Sequence, residues 1–278
     1  MKKKTNGSRG VVNVAVVGAA GRMGRRIIAC AEEMKNVAIV AAVDAPSCPA
    51  QGRDAGAMAG VAETGVAVTA DLAAACRAAD VVIDFALAAG VEQRVGDYAR
   101  LRIPFVLGAT GLDARGRAAV ARAAKVVPVL HTPNFSVGVN LLFLLARSAA
   151  AALDEGFDVE IVEMHHRRKH DAPSGTANRL AEVIEEARGL ETEVHRVHGR
   201  QGMIGERPQR QIGIHALRGG DVIGEHTVVF AAEGERVELV HKAGSRDAFA
   251  RGALRAALFV AHRPPGAYTM NNVLGLGT

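Results

Sequence analysis

The segment from residue 11 to residue 44 constrains the fold most. Val11-Val12-Asn13-Val14-Ala15-Val16-Val17 is a β-branched run, followed by Gly18-Ala19-Ala20-Gly21-Arg22-Met23-Gly24 and a helix-like stretch over 25–34. A second apolar run over 37–43 ends in Asp44. Branched side chains favour strands, so the order is strand, glycine turn, helix, strand, acid. The glycines permit a tight turn, a close approach of backbone to a pyrophosphate and tight helix packing. Asp44 lies 20 residues beyond Gly24, where a carboxylate can accept hydrogen bonds from an adenosine ribose. The spacing Gly-x-x-Gly-x-x-Gly differs from the commoner Gly-x-Gly-x-x-Gly. The plain alternative is a βαβ unit whose turn happens to be rich in glycine. Both strands, the helix and Asp44 in their places favour a dinucleotide site.

The alternation continues to about residue 131. Short apolar runs predict strands over 66–68, 81–84, 105–107 and 126–130. Helical stretches fall over 71–78, with Asp71 as its cap, and over 90–100 and 113–125. Such alternation implies an α/β fold with a Rossmann-like, doubly wound parallel sheet. Ligands of these sheets lie beyond the carboxyl ends of the strands. The segments Asp84-Phe85-Ala86, Gly108-Ala109-Thr110-Gly111 and Thr132-Pro133-Asn134-Phe135-Ser136 follow strand ends and are candidate cofactor contacts.

The pattern changes after a helix over 136–153. A strand over 159–164 and a helix over 177–188 precede strands over 211–217, 222–230 and 237–241, with Gly219-Gly220-Asp221 as a turn. Residues 196–210 read as a long polar loop. The strand-rich sequence implies a second α+β domain on a mixed sheet, whose open face offers itself to another copy. A last helix over 246–262 is expected to return to the first domain. The expected division is 1–135 plus 246–278 for dinucleotide binding, and 136–245 for substrate binding and oligomerisation.

Composition narrows the partners. The 278 residues are 49% hydrophobic and 4% aromatic, and the net charge is +5. That charge favours anionic ligands. The basic residues lack the interleaved aromatics of single-strand binding, so no nucleic-acid partner is expected. Cys30, Cys48 and Cys76 are odd in number and scattered, which argues for a reducing, cytoplasmic compartment and against a metal framework. Met1-Lys2-Lys3-Lys4 imitates a signal start, but the polar residues after it break the pattern, and a disordered tail is expected. The apolar stretch over 137–153 is interrupted by Asn140, Arg147 and Ser148, so it reads as a buried or interfacial helix and no membrane partner is expected.

Most of the chemistry lies in Glu163-Met164-His165-His166-Arg167-Arg168-Lys169-His170-Asp171-Ala172-Pro173-Ser174-Gly175-Thr176-Ala177. A strand leads in and a helix starts at Ser174-Gly175-Thr176. Backbone N–H groups at a helix start, with the helix dipole, attract anions. Cations beside such a start make a pocket for a small molecule carrying carboxylates or phosphates. His and Lys are suited to proton donation near neutral pH. Basic runs are more often solvated faces, and paired histidines can be a metal site. The coupling to Pro-Ser-Gly-Thr argues against the first. The absence of a nearby Cys or a helical His-x-x-x-His argues against the second, so no metal is expected.

These residues resemble the 4-hydroxy-tetrahydrodipicolinate reductase (dihydrodipicolinate reductase) family. The resemblance rests on Gly18 to Gly24, Ile83-Asp84-Phe85, Gly108-Ala109-Thr110-Gly111 and Asn134-Phe135-Ser136-Val137-Gly138-Val139-Asn140. It rests above all on the block from Glu163 to Ala177, extended by residues 220–227 and His241-Lys242-Ala243. It implies reduction of a cyclic imine-type dicarboxylate to tetrahydrodipicolinate by NADH or NADPH in diaminopimelate and lysine biosynthesis, and a homotetramer built through the second domains. By the same resemblance the cofactor contacts are Gly18, Ala19, Ala20, Gly21, Arg22, Met23, Asp44, Gly108, Ala109, Thr110, Thr132, Pro133, Asn134 and Phe135. His165 matches the proton donor and Lys169 the other residue assigned to catalysis or substrate charge. His166, Ser174, Gly175 and Thr176 match the substrate site. Which of His165 and Lys169 donates the proton stays open at this level.

The chain also departs from the family. Ala45 stands where many members carry a basic residue for an adenosine 2′-phosphate, so NADH is the expected preference, although Arg22 offers another cation. Ala86 and Ala109 stand where hydroxyl residues are common. Two other readings compete. One is a different two-domain oxidoreductase, such as aspartate-semialdehyde or homoserine dehydrogenase; the first needs a nucleophilic Cys, and no cysteine here has that context. The other is a non-catalytic dinucleotide sensor, which has no need of a proton donor.

Overall fold

The computed structural model describes residues 10–276; the lysine-rich start lies outside the described residues. In chain order the elements are β1 (Val12–Val17), α1 (Arg22–Ala31), β2 (Val37–Val43), α2 (Ala55–Ala59), β3 (Val68–Thr69), α3 (Leu72–Ala78), β4 (Val81–Asp84), α4 (Val91–Arg100), β5 (Phe105–Leu107), α5 (Ala114–Ala123) and β6 (Pro128–His131). They continue as α6 (Val137–Ala152), β7 (Asp158–His165), α7 (Gly175–Arg188), β8 (Arg196–His198), β9 (Ile212–Arg218), β10 (Gly224–Ala232), β11 (Glu235–Ala243), α8 (Asp247–Val260), β12 (Gly266–Tyr268) and α9 (Met270–Leu274). Two compact units result: residues up to Ser136 with those from Asp247 onward, and Val137–Arg246.

The first unit is built on a seven-stranded sheet in the order β12-β6-β5-β4-β1-β2-β3, and every pairing in it is parallel. Successive side chains of a strand point to opposite faces. Val14 and Val16 of β1 therefore join the core with Ile27, Ile28 and the α8 residues Ala253 and Leu254. Ala15 and Val17 join the core with Val95, Tyr98 and Ala119 on the other face. Helices on both faces are what the near-continuous apolar strands require. Asp54, Asp71 and Asp113 cap α2, α3 and α5 by accepting from Ala57, Ala74 and Gly116 N–H, each cap contributing about 1 kcal/mol.

The second unit is a mixed five-stranded sheet in the order β11-β10-β7-β9-β8. β7 runs antiparallel to β10 and parallel to β9. Val159, Ile161, Ile214, Val228 and Phe230 face α6 and α7 and are buried with Leu180 and Ile184. On the other face Glu160 gathers Arg200 (2.8 and 2.9 Å), Arg207 (3.0 Å) and His215 (2.7 Å). Burial alone would raise the Glu160 carboxyl, but the hydrogen bonds from Arg200, His215 and Arg207 outweigh it and hold it down to about 2. Gly213, the register partner of Glu160, leaves the space this carboxylate fills: a Cβ there would stand 1.8 Å from its Oε2. The cluster ties the segment 199–211 to the sheet.

Four elements escape a reading of local pattern. α2 consists of small residues and is set by its Asp54 cap and the left-handed Gly60. β8 lies inside the stretch read as a polar loop and is a strand because it pairs with β9. β12 extends the parallel sheet beside β6, and α9 is closed by a Thr269–Asn272 capping box. The short strand expected over 66–68 forms at Val68–Thr69, where β2 offers a partner. Among the described residues no helix is long and apolar enough to cross a membrane.

Candidate active site

In the first unit the chain leaves β1 at Gly18, whose φ is +78°. A Cβ on Gly18 would stand 2.8 Å from the Ala86 nitrogen, so the turn after β1 and the turn after β4 close on each other only through glycine. The Gly18 and Ala19 N–H groups donate to the Val43 carbonyl at 2.9 and 3.1 Å. Asp44 Oδ2 accepts from Ala20 N–H at 2.8 Å and Oδ1 from Ala45 N–H at 2.8 Å. The acid at the end of β2 thus holds the glycine turn in shape. α1 starts on Gly21 with no side-chain cap and no acid in its first turn. Such a start leaves its first N–H groups to an anion.

A cleft of about 850 Å³ opens beside this turn, lined by Gly18, Ala20, Gly21, Asp44, Ala45 and Phe85 among others. Asp84 is fully buried and is an anchor, not a ligand contact. It accepts from Arg94 Nε (2.8 Å), Tyr98 Oη (2.9 Å) and Ala86 N–H (2.9 Å). Arg94 also donates to the carbonyls of Leu87 and Ala89, which fixes the loop along the cleft. Burial first, and then the Asp84 charge, pushes the Tyr98 hydroxyl far above its ordinary range, so it stays a neutral donor.

The other expected cofactor residues fall on the same carboxyl edge with different surroundings. Ala19 and Ala109 are buried, Met23 packs against the core, and Arg22 is exposed on α1. Gly108 lies against the Phe85 ring, 2.4 Å from where a Cβ would be. Thr110 and Pro133 are exposed. Thr132 Oγ1 donates to the Asn134 carbonyl, and the buried Phe135 meets Phe85 at 5.3 Å. Of the expected contacts only Gly18, Ala20, Gly21 and Asp44 line the cleft itself.

In the second unit His165 is the last residue of β7, so it stands on the sheet and not in the loop. Its Nδ1 donates to Glu163 Oε2 at 2.6 Å. Glu163 continues the buried row of β7 and is fully buried. Its oxygens also accept the Arg218 fork at 2.8 and 2.9 Å and the Ser174 N–H at 3.0 Å. Burial would raise this carboxyl, but the hydrogen bonds from His165, Arg218 and Ser174 bring it down to about 2, and it is ionised. Nδ1 is therefore the protonated nitrogen of His165. Among the described residues Nε2 has no hydrogen bond, and it sits over Gly224, where a Cβ would come within 3.0 Å.

Ser174 begins α7 and caps it by accepting from Ala177 N–H at 3.1 Å. His226 Nε2 bonds the same hydroxyl at 3.1 Å. Burial, and then the nearby His165, drops the His226 imidazole to about 3, which keeps it neutral. Gly175 has open space where a side chain would be, and Thr176 follows it in the first turn. Both oxygens of Asp171 hold the Lys169 ammonium at 2.8 and 2.9 Å. Burial, followed by the charges of Arg246 and Arg168, lowers the His166 imidazole from its ordinary range.

Glu163, Asp171, Arg218, Gly224 and His226 carry no role in the sequence reading. The signal for Glu163 was available: residues two apart share a strand face, and His165 is two places on. Arg218 and His226 reach the site only through pairing, as register partners of His165 and Glu163. Among the described residues no group of three or more His, Cys, Asp or Glu side chains is arranged to hold a metal.

Residues 12–135 match the family model described as dihydrodipicolinate reductase, N-terminus, and residues 138–274 the one described as dihydrodipicolinate reductase, C-terminus. The chain belongs to the dihydrodipicolinate reductase family. A 4-hydroxy-tetrahydrodipicolinate reductase of Anaeromyxobacter dehalogenans strain 2CP-1 is 51% identical over 266 residues, 96% of this chain and 98% of that protein. The enzyme of that name from Cupriavidus pinatubonensis is 46% identical, over 95% of this chain and all of its own length. Among solved structures, a dipicolinate-bound dihydrodipicolinate reductase from Paenisporosarcina sp. TG-14 is 26% identical with a TM-score of 0.72, covering 93% of this chain and 97% of that one. Membership makes the chain an oxidoreductase with a Rossmann-like unit for NAD(P)H.

Proposed function

We propose that the chain reduces 4-hydroxy-tetrahydrodipicolinate to tetrahydrodipicolinate with NAD(P)H and one proton, the 4-hydroxyl leaving as water, a step of diaminopimelate and lysine biosynthesis. The observation that carries the reading is the buried Glu163, which bonds both the His165 imidazole and the Ser174 start of α7. A proton donor and a carboxylate-binding helix start are thereby set side by side.

The residues of the first unit fit a dinucleotide: a glycine cradle, an uncapped helix start and an acid at the end of β2. Gly18 to Met23 would hold the pyrophosphate and Asp44 the ribose, with Gly108 to Thr110 and Thr132 to Phe135 along the same edge. The bound nicotinamide supplies the hydride. Lys169 trades Asp171 for a substrate carboxylate, while the backbone of Gly175 and Thr176 takes carboxylate oxygens at the start of α7. His166 lines the substrate. His165, protonated and held through Nδ1, gives its Nε2 proton to the developing enamine. Of the two candidates His165 is assigned the proton, because Lys169 is already committed to carboxylate pairing. We further propose a cytoplasmic homotetramer joined through the sheet face that carries the half-exposed Leu217 and Val240.

The test condenses pyruvate with aspartate semialdehyde by the preceding synthase and follows the loss of reduced-nicotinamide absorbance. Rapid loss that requires both condensation partners is expected; no loss above the blank rejects the reading.

NADH is the proposed preference. Ala45 and Pro46 line the cleft beside Asp44, and among the described residues the one lining cation, Arg94, is paired with Asp84. A 2′-phosphate would meet the Asp44 carboxylate, and the exposed Arg22 does not line the cleft. We expect kcat/KM for NADH to exceed that for NADPH by about tenfold, or roughly 1.4 kcal/mol; an equal or higher value for NADPH overturns the assignment.

A further inference from the structure

We infer that Glu163 is a positioning residue serving both halves of the substrate site: one oxygen holds His165 through Nδ1–H, and the other holds the Ser174 start of α7. The inference rests on the reading above that His165 gives the proton and the start of α7 takes a carboxylate. Each oxygen also takes one arm of the Arg218 guanidinium, Oε2 at 2.8 Å and Oε1 at 2.9 Å. A bidentate fork fixes the carboxylate plane, so the two remaining contacts, His165 on Oε2 at 2.6 Å and Ser174 N–H on Oε1 at 3.0 Å, are set at a defined angle. A shift at one is transmitted to the other through a rigid, fully buried group.

The surroundings support a service to the site beyond general packing. Desolvating a carboxylate is costly even when it is paired, and an apolar residue would fill the same space without that cost. What it supplies in return is a tautomer. With Nδ1–H committed to Glu163, the second ring nitrogen is the one that exchanges a proton with the substrate. The groups facing Glu163 come from each element around it: His165 from β7, Arg218 from β9, Ser174 from α7 and His226 from β10. His226 is neutral and is occupied with the Ser174 hydroxyl, so it does not compete for the carboxylate. Arg218 also donates to the Asp171 carbonyl at 2.7 Å, which links the segment holding Lys169 to the same joint.

Glu163→Gln keeps the size and removes the charge. The expected result is a fall in kcat of roughly 10- to 100-fold, a rise in KM for the dicarboxylate of about fivefold, and NADH affinity within about twofold of the parent protein. Nitrogen-15 NMR of the His165 ring should show the Nδ1–H tautomer in the parent and a mixture in the variant. Unchanged kcat and KM overturn the inference, and so does a lower kcat with the tautomer unaltered. If Glu163→Gln does not fold, Glu163→Asp keeps the charge for Arg218 but is too short to reach both His165 and Ser174. The same losses in smaller measure are expected from it, and full activity overturns the inference. A parent protein inactive on the condensation product would reject the functional reading instead, while the tautomer measurement still decides the role of Glu163.

Discussion

Replacing His165 by alanine is expected to lower kcat by about 10²–10⁴-fold, the range a positioned general acid contributes, while NADH binds as before. The argument is local. His165 ends β7 with Nδ1 committed to Glu163, and Nε2 is left over Gly224 with no hydrogen bond among the described residues. On the proposed roles, removing the ring removes the proton source and leaves the proposed dicarboxylate site at α7 in place, so KM should move far less than kcat. Lys169→Ala is expected to show the converse emphasis, with a larger rise in KM, if its ammonium, held by Asp171, trades that partner for a substrate carboxylate as proposed. Steady-state kinetics with NADH quenching as the binding check decide both. Turnover by His165→Ala at the parent rate removes the residue from its role.

Gly24→Ala is expected to weaken cofactor binding at least tenfold. Gly24 is buried in the first turns of α1, and an added Cβ would stand 2.2 Å from the Gly18 oxygen and 2.7 Å from Ala19 Cα. Those are backbone atoms, and they cannot retreat. Gly18 and Ala19 N–H both bond Val43, and Gly21 N–H bonds the Gly18 carbonyl. The helix must move away from the turn instead, at an overpacking cost of about 1–3 kcal/mol. For a chain of this size that corresponds to roughly 2–4 °C in Tm per kcal/mol. The expected outcome is a lower Tm together with at least a tenfold weaker Kd for NADH by fluorescence titration. A variant that binds NADH like the parent would show that the glycine turn is not the pyrophosphate cradle.

Local sequence determined a good part of this protein. The β-branched run before Gly18, the apolar run ending in Asp44 and the Asp71 cap each specify a backbone state through neighbours one to four residues away, and each forms as read. Ser174-Gly175-Thr176 likewise announces a helix start, because a hydroxyl that can accept the third N–H needs only local geometry. The alternation of strands and helices was enough for a parallel sheet, since each apolar strand must be covered on both faces.

Pairing over long sequence distances decided the rest. β8 and β12 have too few side chains to specify a strand, and they exist because β9 and β6 offer open edges. Asp84 stands among candidate cofactor contacts in the sequence, yet Arg94 and Tyr98 enclose it once α4 packs on β4. The charge state and tautomer of the residues from Glu163 to Ser174 belong to this class as well. Glu163 is a carboxylate near pH 7 because His165, Arg218, 55 residues away, and Ser174 all donate to it in a fully buried place. Sequence can list the acids and bases of a site, but desolvation and hydrogen bonding act only between groups that folding has brought together, and those terms set which atom holds the proton.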